Sequence, residues 1–121
     1  MYDAEDSVSR KMFASEWIMR RIVSRLNDGW GADPESIWEV ADRLCSMADF
    51  SIILSTPPMN RWFDWEVEDG RMQVITRNGK KRYALTDRAR HTMLREEGDG
   101  LLEIISKEIG CDIIALEREL F

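Results

Sequence analysis

The residues best placed to do chemistry in this chain are cations at the end of a short hairpin. Arg77, Asn78, Lys80, Lys81 and Arg82 surround an Asn78-Gly79 turn, and Arg88 and Arg95 follow on a helix. Guanidinium and ammonium groups clustered on one short element suit the phosphates of a nucleic-acid backbone, and the Asn78 amide could reach a groove. Two bland readings compete. Lysines at a hairpin tip protect exposed strands from edge pairing, and the same charge would suit an acidic protein.

The net charge of −6 conceals this cluster. Residues 71–95 carry eight basic side chains and one acidic, Asp87, whereas 34–70 carry two basic and eight acidic. Residues 96–121 also carry two and eight, so the basic window lies between acidic flanks. A global count argues against a polyanionic partner; the local count argues for one.

No catalytic or cofactor pattern accompanies the cations. His91 is the single histidine, and Cys45 and Cys111 lie far apart without a paired-cysteine spacing. That excludes a conventional zinc site and suits a reducing, cytoplasmic setting. Asp64, Glu66 and Glu68 alternate along one segment, where a solvent face is the ordinary explanation. Trp62, Phe63 and Trp65 could form a base-stacking platform; aromatics in alternation more often face a core. The acidic N-terminus is not a signal peptide, and the longest apolar runs are too short to span a membrane.

The elements that must position the tip follow from turn chemistry. Asp69-Gly70 and Asn78-Gly79 are two-residue hairpin signals, because both central residues of a type I′ turn take positive φ. If both are such turns, residues 62–85 form a three-stranded antiparallel meander. Val67 then pairs with Met72 and Met72 with Leu85, and Trp65 pairs with Val74 and Val74 with Tyr83. Phe63, Trp65, Val67, Met72, Val74, Tyr83 and Leu85 share the core face. Glu66, Gln73 and Arg82 face outward. A competing reading makes 57–68 a helix, since Met59, Trp62, Phe63 and Val67 also suit one helical face.

Around the meander the pattern is helical. Residues 1–8 read as a flexible terminus, and a helix runs from about Ser9 to Asp28, stopped by Gly29-Trp30-Gly31. Asp33-Pro34-Glu35 starts a second helix. Asp49 caps a third, Phe50 to about Ser55, ended by Pro57 and Pro58. Thr86 caps a fourth, from Asp87 to Glu97. After Gly98-Asp99-Gly100, the residues Leu102, Ile105, Ile109, Ile113, Leu116 and Leu120 form a heptad-like seam, in which Gly110 can bend or split the helix. The seam serves either as a dimerisation arm in residues 98–121 or as a helix packed back on its own domain, 9–97.

Three helices, a basic-tipped hairpin and then Tyr83-Ala84-Leu85-Thr86-Asp87-Arg88-Ala89-Arg90 resemble the winged helix-turn-helix fold of bacterial and archaeal regulators over residues 10–97. Ala89 stands where that pattern often has glycine. The resemblance implies an α+β, winged-helix-like domain with the wing at 77–82 and the recognition helix at 49–56, in a homodimeric, non-enzymatic regulator of duplex DNA. Residues 49–56 contain no Lys or Arg, which favours the alternative, a protein-interaction module acting as adaptor or inhibitor.

Overall fold

The computed structural model describes residues 4–45 and 60–121. The described chain is α+β, with helices α1 (Ala4–Leu26), α2 (Pro34–Cys45), α3 (Asn60–Glu68), α4 (Asp87–Gly98), α5 (Leu101–Ile109) and α6 (Ile113–Leu120). Strands β1 (Met72–Arg77) and β2 (Lys80–Leu85) form one antiparallel hairpin. The expected third helix at 50–55 lies outside the described residues. Helix α1 begins at Ala4, so the expected flexible stretch 1–8 is helical from that point.

Helix α1 is the central element. Ala14, Trp17, Ile18, Met19, Ile22 and Val23 are all buried, and the helix meets α2, α5 and β2. Each of the larger side chains contributes roughly 1.5–3 kcal/mol on burial. Arg20 and Arg21 on the same helix are tied down instead of solvated. Arg20 reaches Glu66, and Arg21 pairs with Glu117 and Glu97. Burial opposes the Arg21 charge, but Glu117 and Glu97 outweigh it and raise the pKa.

The hairpin has the register implied by the Asn78-Gly79 turn: Met72 opposite Leu85, Val74 opposite Tyr83 and Arg77 opposite Lys80. Asn78 (φ 53°) and Gly79 (φ 76°) both take the positive φ that a type I′ turn needs. The three-stranded meander does not form, because Asp69-Gly70 is no hairpin turn. Residues 60–68 are helical, and Gly70 (φ 75°) terminates that helix. The Arg71 amide donates to the Glu66 carbonyl at 2.9 Å and the Gly70 amide to the Val67 carbonyl at 3.1 Å. That is the paired closure of a glycine-terminated helix.

The helix reverses several expected orientations. Trp62 and Phe63 are buried, Glu66 is 1% exposed, Val67 is half-buried and Trp65 is 55% exposed. Phe63 stacks on Tyr83 with centroids 4.4 Å apart, and Trp38 and Trp62 meet Phe63 edge-on. Burial and the Asp64 charge raise the Tyr83 pKa. Val74, expected in the core, is exposed, and Ala84 on the opposite face of the ladder is buried. Among the described residues no third strand covers β1 at Val74, while α-helices pack at the Leu85 end.

Thr86 links hairpin to helix as expected. Its hydroxyl accepts from the Ala89 amide at 3.3 Å and donates to the Gly70 carbonyl at 2.8 Å. The seam beyond it is split by Gly110 (φ 70°) into α5 and α6. Ile105, Ile109, Ile113 and Leu116 are buried in the common core, with α5 against α1 and α6 against α2. These seam residues therefore pack within the chain. Leu102 is half-buried, and α6 ends at Leu120.

Candidate nucleic-acid interface

The hairpin tip projects from the α-helical body. Arg77, Asn78, Lys80 and Lys81 are exposed, and Arg82 is half-buried. Arg77, Lys80 and Lys81 make no ion pair among the described residues. A cleft of about 310 Å³ between the tip and the body is lined by Asp33, Arg77, Asn78, Lys80 and Arg82.

Arg82 serves the fold. Its Nε donates to the Trp30 carbonyl at 2.9 Å, and its Nη2 donates to Asp28 Oδ2 and to the Gly31 carbonyl, both at 3.1 Å. These bonds clamp the loop after α1 onto β2. Next to them Ala32 and Tyr83 exchange backbone hydrogen bonds at 2.7 and 3.0 Å, an isolated antiparallel bridge. Gly31 (φ 79°) makes the close approach possible, since a Cβ there would stand 3.0 Å from the Tyr83 carbonyl oxygen. The Trp30 amide, then Arg82 and Arg77, hold the Asp28 carboxyl below its ordinary range.

The clamp presents a side chain that pattern reading passed over. Trp30 is 52% exposed, and the Arg77 guanidinium lies 4.8 Å from its ring centroid. The signal was present in Asn27-Asp28-Gly29-Trp30-Gly31: a tryptophan among turn formers has no periodic apolar partners to pack with.

Arg88 is not brought to this place. Arg88 donates from Nη2 to the Asp69 carbonyl at 2.8 Å, at the base of the hairpin. Six residues of β1 separate that base from the tip, roughly 17–20 Å of strand. Arg95 lies two turns further along α4. Two more cations of the basic window are paired: Arg90 with Asp87, and Arg71 with Glu66 and Asp69. The effective positive patch is thus Arg77, Lys80 and Lys81, smaller than the count over 71–95 suggested.

Of the aromatics weighed as a stacking platform but expected more often to face a core, Trp62 and Phe63 are buried and Trp65 is exposed. The helix directly before the hairpin is α3, which exposes Arg61, Asp64, Trp65 and Glu68. The expected recognition position 49–56 lies outside the described residues. His91 is exposed on α4. Among the described residues no group of His, Cys, Asp or Glu is arranged to hold a metal ion, and no helix is long and apolar enough to cross a membrane. No protein-family model matches the chain, and no curated protein or solved structure matches it.

Proposed function

We propose that this chain is a non-enzymatic DNA-binding regulator that touches the duplex backbone through the tip of its β1–β2 hairpin. The observation that carries the reading is the set Arg77, Lys80 and Lys81. They are exposed around a tight turn, free of ion pairs among the described residues, on a chain that is acidic elsewhere. The Asn78-Gly79 hairpin followed by the Thr86-capped α4 is the part of the described chain that agrees with the winged helix-turn-helix resemblance. Such contacts position a protein on DNA without reading its sequence. Helix α3 exposes two carboxylates against one guanidinium, so it would be repelled from a groove.

Titration of labelled duplex DNA at low salt tests the reading. Lys80→Glu with Lys81→Glu should abolish binding and leave the circular dichroism spectrum unchanged, because both side chains are exposed. Absence of wild-type affinity, or equal affinity in the double variant, would overturn it.

One observation favours a second reading, a protein-interaction module. Trp65 stands exposed on α3 between exposed Asp64 and Glu68, and tryptophan is the kind of side chain that anchors protein interfaces. Of the alternating acidic residues Asp64, Glu66 and Glu68, Glu66 is excluded from such a surface by its burial.

A further inference from the structure

The tip cations account for affinity toward phosphate. They do not account for Trp30, which leaves half of a large aromatic surface in water directly beside them. Trp17 and Trp62 are at most 4% exposed, and of the two exposed tryptophans, Trp65 on α3 and Trp30, it is Trp30 that has a tip cation over its ring.

Trp30 is also held in place with unusual completeness for a loop residue. Asn27 Oδ1 accepts from the amides of Gly29 and Gly31 at 2.9 and 3.0 Å. Asp28 Oδ1 accepts from the Trp30 amide at 3.0 Å, and Arg82 donates to the Trp30 carbonyl at 2.9 Å. The backbone on both sides of the ring is therefore fixed before any ligand arrives, which lowers the ordering cost of binding. Arg77 covers one region of the indole at 4.8 Å; the exposed remainder is open to a flat partner.

An exposed aromatic ring beside backbone-tracking cations is the two-part arrangement by which proteins hold single-stranded nucleic acid. Bases within a duplex are stacked on one another and cannot offer a face. Unpaired bases can, and they stack on aromatic rings and on guanidinium planes alike. Trp30 and Arg77 supply one of each, and Lys80, opposite Arg77 in the ladder and lining the same cleft, is the cation alongside.

We propose that Trp30, with Arg77 packed against it, is a stacking site for an unpaired nucleobase, so that the preferred ligand of the hairpin is nucleic acid carrying a single-stranded segment. This rests on the nucleic-acid reading above and adds a substrate class to it.

The test compares three labelled probes by fluorescence anisotropy at low salt: a blunt duplex, the same duplex with a dT overhang, and oligo-dT alone. The full chain is used as wild type, Trp30→Ala, Trp30→Phe, and Lys80→Glu with Lys81→Glu. Wild type should favour the overhang over the blunt duplex. Trp30→Ala should weaken binding to the overhang and to oligo-dT on the order of tenfold, as expected for one stacked base, with blunt-duplex affinity unchanged. Trp30→Phe should retain most of the preference. If Trp30→Ala binds the overhang as tightly as wild type, or loses affinity equally for all three probes, the stacking site is overturned. Loss of blunt-duplex binding in the lysine double variant would in that case leave the duplex reading standing. Binding of no probe by wild type would overturn both.

Discussion

Arg20 on α1 holds Glu66 on α3 through two hydrogen bonds to one carboxylate oxygen, 3.2 Å from Nε and 3.1 Å from Nη2. Glu66 is 1% exposed, and the Arg20 side chain 14%. Arg71 also donates to Glu66, from a more exposed position whose contribution solvent screens. Removing one partner of a buried pair strands the other charge and costs about 3–5 kcal/mol. Glu66→Ala should therefore lower stability by about 3 kcal/mol in urea melts, while Glu68→Ala on the exposed side of α3 should stay within about 0.5 kcal/mol.

The hairpin faces give a second contrast. Met72 is 2% exposed and Val74 42%. Met72→Ala should cost about 2–5 kcal/mol as a core truncation. Val74→Asp should cost no more than about 1 kcal/mol, the span of strand preference at an open site. Chemical denaturation of the two variants checks the order, which is opposite to that expected of a three-stranded meander.

These two cases show why part of the fold could be read from the chain and part could not. Asn78-Gly79 specified its hairpin because Asn78 accepts positive φ; it is the single non-glycine residue to do so among those described. Asp69-Gly70 looks the same on paper, but Gly70 alone takes positive φ. A glycine in that conformation ends a helix as readily as it makes a turn. Glu66 completed the misdirection. A buried carboxylate satisfied by Arg20 from 46 positions away, together with Arg71, imitates a solvent face in any pattern count. At the tip, the cations were legible as a cluster. Their neutralisation was not, because Asp28 reaches Arg82 from 54 positions away, and Trp30 joins Arg77 only through that same clamp.

The C-terminal seam supplies the third prediction. Ile105, Ile109, Ile113 and Leu116 are each at most 4% exposed within the single chain. Deleting residues 99–121 would uncover the faces of α1 and α2 that they bury and strand Arg21 without Glu117. At roughly 1.5–3 kcal/mol for each of the four buried side chains, the loss is about 6–12 kcal/mol, comparable with the whole stability of a small domain, about 5–15 kcal/mol. The truncated chain should show no cooperative thermal transition. A folded monomer would mean that α5 and α6 are an independent arm.

Asp28 makes the clamp sensitive to acid. Its folded pKa lies below the ordinary 3.8 because the Trp30 amide, then Arg82 and Arg77, favour the carboxylate. A depressed carboxylate binds fewer protons folded than unfolded. Its stabilising effect is therefore complete above 3.8 and is lost as pH falls through the lower folded value. Asp28→Asn should melt below wild type at neutral pH, and the gap between them should close in strong acid. Thermal melts of both proteins from neutral to acid pH check this; a gap independent of pH would point to loss of the Asp28–Trp30 turn geometry alone.

Salt dependence counts the cations that reach DNA. For duplex DNA the slope of log affinity against log salt is about −0.9 per phosphate neutralised. Arg82 is held by Asp28 and Arg88 by the Asp69 carbonyl at the base of the hairpin, so the tip itself offers Arg77, Lys80 and Lys81. The expected slope is about −3 for each protomer bound. Ile105, Ile109, Ile113 and Leu116, four of the residues expected to join two copies, are packed inside the domain, so a single wing per bound particle is the expected stoichiometry. Two wings on one site would give about −5. Titrations at several salt concentrations, with sedimentation to fix the mass of the complex, separate these cases. Lys80→Ala should reduce the slope by about one, because it removes one phosphate contact. An unchanged slope in that variant would mean that the tip does not carry the contact, and the acidic face of α3 with Trp65 would become the surface to test.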